Sequence, residues 1–172
     1  MKAIIFAIGW AIVKDEYKNT GEKIIKHFDF SQIREMTSTG LIEVQSHTFD
    51  MHQSESYEQS VNVRESVLKF DSETEKDYIE ALENDYRQFD ILLFNNAGYR
   101  NYAIAYPHGD YNAVAEEVFE NLGTYVTFST EFSDKNILVQ GNFESLRALN
   151  RFTISESVSK DGLLKLIQSV YN

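Results

Sequence analysis

The chain has 172 residues, 42% of them apolar, with 16 basic and 27 acidic residues for a net charge of -11, and no cysteine. This composition fits one soluble globular domain with a single core, and the acidity argues against nucleic acid as a partner and against membrane surfaces. The lack of cysteine excludes disulfides, thiolate metal sites and a cysteine nucleophile.

"KAIIFAIG" opens the chain as a continuous apolar run ended by Gly9, the pattern of a strand buried on both faces in a parallel sheet. It is too short to span a bilayer, and no cleavage site follows, so it reads as a strand rather than a leader. "FDFSQIREMTSTG" predicts a short helix capped by Ser31 and ended by Gly40. "LIEVQSH" predicts a second strand, completing a βαβ unit. Ser54 to Phe89 is helical in pattern: Ser72 and Glu75 form a capping box, and Tyr78, Leu82, Tyr86 and Phe89 make one apolar stripe. "DILLFNN" reads as the next strand, and "YAIAYP" as another stopped by Pro107, the single proline. "YNAVAEEVFENLG" is a helix with Val114, Val118 and Leu122 on one face and Gly123 as its stop. "TYVTFST" alternates as a strand, "NILVQ" stays unassigned, "RFTIS" could be a last strand, and "SKDGLLKLIQSVYN" is a final helix. Strands alternating with helices, with no linker or repeat, predict one α/β domain over residues 1–172 with a mainly parallel sheet.

Two stretches carry candidate chemistry. In "IEVQSHTFDMH", His47 and His52 are five apart, about 140° around a helix, so they are not a helical metal pair. His47 instead falls at the C-terminal end of a strand and His52 in the following loop, where parallel α/β folds build their sites. Imidazole suits zinc and similar metals, but two ligands do not complete a site. In "AYPHGDYN", Pro107 and Gly109 shape a strand-to-helix turn that Asp110 or Asn112 can cap, and such a turn can gather N–H groups around an oxyanion.

Taken in order, "IEVQSHTFDMH", "AIAYPHGDYN" and "LNRFTIS" resemble the polysaccharide deacetylase family, the NodB-homology domain of carbohydrate esterase family 4. The resemblance implies a distorted (β/α) barrel and metal-dependent removal of N-acetyl groups from an amino-sugar polymer containing N-acetylglucosamine. It implies that His47 and His52 are ligands of a divalent metal, zinc by expectation, with Ser46 and Thr48 stiffening the loop. It implies that Pro107-His108-Gly109 stands for the family's Pro-Tyr-Gly, with the His108 backbone N–H as the catalytic oxyanion donor and Tyr106, Pro107 and Gly109 against the substrate.

The chain also departs from the family. The Thr-Phe-Asp-Asp-Gly motif, source of the general base and the third metal ligand, is absent, and the resemblance places Met1 just after its strand. A barrel missing its first strand would leave an open edge that invites a homodimer. The late Leu-x-His is absent too, as is the arginine before the turn, and "STEFSD" matches its motif poorly. Asp50 and Asp110 are the acids closest to the two stretches and the candidates to replace the missing carboxylates. The alternative is a truncated or degenerate, non-catalytic member that binds sugar, metal or a partner chain. No leader is seen, and the family works mostly outside the membrane or at the cell wall.

Overall fold

The computed structural model describes residues 2–58, 63–130 and 136–171. Five parallel strands form one sheet in chain order: β1 (Ala3–Ala7), β2 (Ile42–Ser46), β3 (Ala103–Ala105), β4 (Val126–Ser129) and β5 (Leu149–Asn150). Helices α1 (Phe30–Ser38), α3 (Glu75–Ala97) and α4 (Ala113–Asn121) connect successive strands, with a short α2 (Glu55–Glu58) ahead of α3 and α5 (Lys160–Tyr171) closing the chain. Neighbours in sequence are neighbours in the sheet, as repeated βαβ crossovers dictate. The α/β class with a parallel sheet is therefore as expected. Among the described residues the sheet is open, with β1 and β5 at its edges.

Several local expectations are corrected. Only Ala7 of β1 is buried, Ile5 and Phe6 are partly buried and Ile4 is exposed, because an edge strand has a neighbour on one side only. The cap of α1 is Asp29, whose side chain accepts the Gln32 N–H while Gln32 returns a bond to the Asp29 N–H; Ser31 lies inside the helix. The cap of α3 is Thr74, bonded by the Asp77 N–H, in place of a box from Ser72. "DILLFNN" is not a strand but the last two turns of α3. Phe89 and Leu93 continue the stripe of Tyr78, Leu82 and Tyr86 at steps of three and four residues, and Gly98 ends the helix at φ 81°. The last strand covers Leu149–Asn150 and stops before "RFTIS".

α3 explains how the core is organised. Tyr78, Leu82 and Tyr86 pack with Met51, Ile104, Tyr106 and Phe119, whereas Phe89 and Leu93 pack with Ala7, Ile12, Ile33 and Val44. One helix therefore ties β1 and β2 to β3 and α4. Each such side chain contributes about 1.5–3 kcal/mol by burial. Between β2 and β3 only Ser46 and Ile104 are paired. Side chains complete the seam: Gln45 Oε1 accepts the Tyr102 and Ala103 N–H groups, Asn101 Oδ1 accepts the Ser46 N–H, and the Tyr99 hydroxyl bridges the N–H and carbonyl of Val44. These bonds hold β2 and β3 in register where His47 and Tyr106 emerge.

Candidate functional site

The C-terminal ends of the strands carry the site. His47 follows β2, His52 ends the loop after it, and His108 sits in the 3₁₀ turn Pro107–Gly109 after β3. The three imidazoles converge: the ring centroids of His47 and His52 are 5.1 Å apart, and those of His52 and His108 are 4.7 Å apart, both edge to face. His108 was expected to contribute only its backbone, so its ring joining the pair is a finding of the tertiary structure.

The loop between the first two histidines is pinned on both sides. Thr48 adopts φ 71°, costly for a β-branched residue. Its N–H donates to Ser46 Oγ, and its own Oγ1 accepts the Met51 N–H, so both hydroxyls stiffen the loop. From one side Gly9 and Trp10 donate their N–H groups to the carbonyls of Thr48 and Phe49. From the other, the Asp85 carboxylate on α3 accepts the Phe49 N–H at 2.8 Å and the Asp50 N–H at 2.7 Å. Burial pushes Asp85 up to about 6, against the pull of those two backbone bonds. A Cβ on Gly9 would meet Phe49 Cδ2 at 2.5 Å. Gly9→Ala is therefore expected to cost about 1–3 kcal/mol by overpacking, read as a lower midpoint in urea unfolding; an unchanged midpoint would show that the loop yields freely.

His47 is fixed most tightly. Its Nδ1 lies 2.5 Å from the Ala105 carbonyl, which can only accept, so Nδ1 carries the proton and Nε2 keeps its lone pair. Burial, and then the charges around it, Arg151 among them, bring His47 down to about 4, so the ring is neutral at ordinary pH. His52 is also lowered, by burial first and His108 second. A neutral imidazole with one nitrogen bound to a backbone carbonyl is the usual form of a metal-ligating histidine, so His47 fits a divalent metal, with the His52 ring 5.1 Å away as the second imidazole. Among the described residues, no group of three or more His, Cys, Asp or Glu is placed to hold a metal ion.

The turn after β3 is built from buried residues. Tyr106, Pro107 and Gly109 are all buried and shape the turn. The Tyr106 hydroxyl donates to Glu116, which also accepts from Thr127 and pairs with Arg147, and burial raises the Tyr106 pKa. Gly109 has φ 85°, and a Cβ there would meet the Thr130 nitrogen at 2.5 Å. His108 has φ 58° and is exposed, with its carbonyl held by the Thr130 hydroxyl. No hydrogen bond to a described residue uses the His108 N–H. Asn112 caps α4 through the Ala115 N–H.

Of the two candidate acids, Asp50 pairs its Oδ2 with Lys18 at 2.8 Å while its Oδ1 is buried without a hydrogen-bond partner among the described residues, and Asp110 is an exposed residue closing the 3₁₀ turn. "STEFSD" lies mostly outside the described residues.

Sequence reasoning missed two residues. Asp85 announced itself as an acid three residues after Leu82, beside an otherwise apolar face. Arg151 is the one charged residue in "LNRFTIS". Its guanidinium donates to the carbonyls of Ser129 and Tyr106, both at 3.2 Å, bridging β4 and the turn after β3. It has no carboxylate partner among the described residues, and its partial burial lowers its pKa.

Fold and site together define a parallel α/β protein with an imidazole cluster at its strand ends. The family model for polysaccharide deacetylases matches residues 1–127, and the chain belongs to that family. Among solved structures it is similar to the de-N-acetylase of Aggregatibacter actinomycetemcomitans, at 18% identity and TM-score 0.71, covering 95% of this chain and 64% of that one. It is similar to IcaB of Ammonifex degensii, at 16% identity and TM-score 0.66, covering 100% and 63%. The deacetylase PplD of Streptococcus pyogenes gives 19% identity and TM-score 0.59, covering 95% and 57%. The chain thus spans less than two thirds of each of these proteins. No curated protein matches it in sequence. Among the described residues no helix is long and apolar enough to cross a membrane.

Proposed function

We propose that the chain hydrolyses N-acetyl groups on an amino-sugar polymer containing N-acetylglucosamine, with His47 and His52 holding a divalent metal, zinc in the first instance. The observation that carries this is the convergence of His47, His52 and His108 at the ends of β2 and β3, in a member of this family. A bound divalent metal would polarise the acetyl carbonyl and lower the pKa of a water molecule. The chain's own residues do the rest. Ala105 fixes the His47 tautomer, and Asp85 holds the backbone between the two histidines. The His108 N–H is available to the oxyanion that develops on the acetyl oxygen. Arg151 braces the carbonyl of Tyr106 and sets a fixed positive charge near His47.

One observation favours a second reading, that of a sugar- or metal-binding member without turnover. No triad of metal-binding side chains is assembled among the described residues, and one oxygen of Asp50 is paired with Lys18. Acetate release from N-acetylglucosamine oligomers, assayed with zinc, cobalt and nickel on the folded chain, separates the two. Release that is lost on chelation supports hydrolysis; its absence with all three metals, while oligomers still bind, would leave the binding reading.

A further inference from the structure

On the Trp10 side of the histidines lies a cavity of about 350 Å³, with His52 and His108 in its wall. Trp10 and Tyr17 contribute aromatic wall, and His52, His108, Glu58 and Glu65 contribute polar wall. The size falls at the lower end of small-ligand sites, and a largely apolar wall with a few placed polar groups is the usual make-up of such sites. A pyranose ring has matching faces: its axial C–H groups pack on an aromatic ring while its hydroxyls and any amine point to polar partners.

The two acids differ in what they are free to do. Glu58 is buried and committed, accepting from Asn19 at 2.7 Å with Lys18 at 3.6 Å. Glu65 is exposed, makes no ion pair among the described residues, and lines the same cavity as His52. The cavity therefore offers one uncommitted carboxylate next to the histidine pair. The Trp10 backbone is held beside that pair, because its backbone N–H donates to the Phe49 carbonyl at 2.9 Å, and the Lys18 ammonium sits 5.6 Å from the ring centroid.

We propose that this cavity seats a protonated glucosamine unit, with Trp10 packing on the sugar ring and Glu65 receiving the ammonium group. The proposal rests on the amino-sugar reading above and adds a preference: a unit that has already lost its acetyl group is held beside the one presented to the histidines. An N-acetylated unit has no positive charge for Glu65 and a bulkier substituent in its place. Partly deacetylated polymer would thus bind better than fully acetylated polymer.

Trp10 is the only tryptophan in the chain, so its fluorescence reports on this cavity alone. The full chain, in EDTA at pH 6 and constant ionic strength, is titrated with methyl β-glucosaminide, its N-acetyl derivative and methyl β-glucoside. Single rings remove any dependence on polymer linkage. The expected result is a saturable change with the glucosaminide at least about tenfold tighter than with the other two, and loss of that preference in Glu65→Gln, an exposed change that leaves folding intact. No saturable change, equal binding of all three sugars, or a preference that survives in Glu65→Gln would each overturn the proposal. Acetate release without a Trp10 response would sink the cavity and leave the hydrolase reading standing. A Trp10 response without acetate release would do the reverse.

Discussion

Asp85→Ala is expected to destabilise the chain by about 3 kcal/mol at pH 5 and to loosen the histidine loop. The substitution removes the acceptor for the Phe49 and Asp50 N–H groups at once, and each buried N–H left without its acceptor costs roughly 1–3 kcal/mol. Part of the gain from these bonds is offset in the wild type, because burial disfavours the ionised carboxylate and holds Asp85 near 6, above its ordinary 3.8. The folded state therefore binds a proton that the unfolded state has released between those two values. A group raised in this way stabilises fully below its unfolded pKa and loses that contribution as pH rises through the folded one. The gap between wild type and variant should narrow by about 1.4 kcal/mol between pH 5 and pH 7, one pKa unit's worth of free energy. Urea unfolding of both proteins across that range measures it. A gap that is constant or widens with pH would show that Asp85 is ionised throughout and holds the loop by charge alone.

His47→Ala is expected to weaken zinc binding by at least about 100-fold, or about 2.7 kcal/mol. His47 is the proposed ligand whose geometry is already set, through its Nδ1 bond to Ala105, and whose neutral state needs no proton to be displaced near pH 7. His52→Ala should lose a similar amount if the two act as a pair, and the double variant no more than the tighter of the single losses implies. Calorimetric titration of the metal-stripped wild type beside the three variants checks this. Zinc that binds equally well to wild type and His47→Ala is held elsewhere, and the histidine cluster then has some other purpose.

The amino-acid sequence determined more of this protein than its local structure. Period and composition were enough for β2, β3, α4 and the α/β class, because a strand buried between neighbours must be apolar and a helix on a sheet must carry a stripe. The quoted motifs were enough for the family, since "SHTFDMH" and "YPHG" fall at loop positions after strands, where chemistry rather than packing chooses the residue. "DILLFNN" failed because a short apolar run satisfies a strand and a buried helix equally. What decided it was that Phe89 and Leu93 had a second half of the core to fill, between Ala7 and Val44.

The site was legible only as separate pieces. His47 and His52 could be singled out, but no pattern in the chain says that His108, more than fifty residues away, brings its ring within 4.7 Å of His52. Nor does it say that Asp85 reaches from α3 to hold the loop, or that Arg151 reaches from beyond β5 to the turn after β3. Those contacts depend on which strand ends the parallel sheet sets side by side, a property of register and crossover rather than of any one segment. The residue types were fixed by the sequence; their roles follow from the distances that the packed sheet and the long helix α3 impose on them.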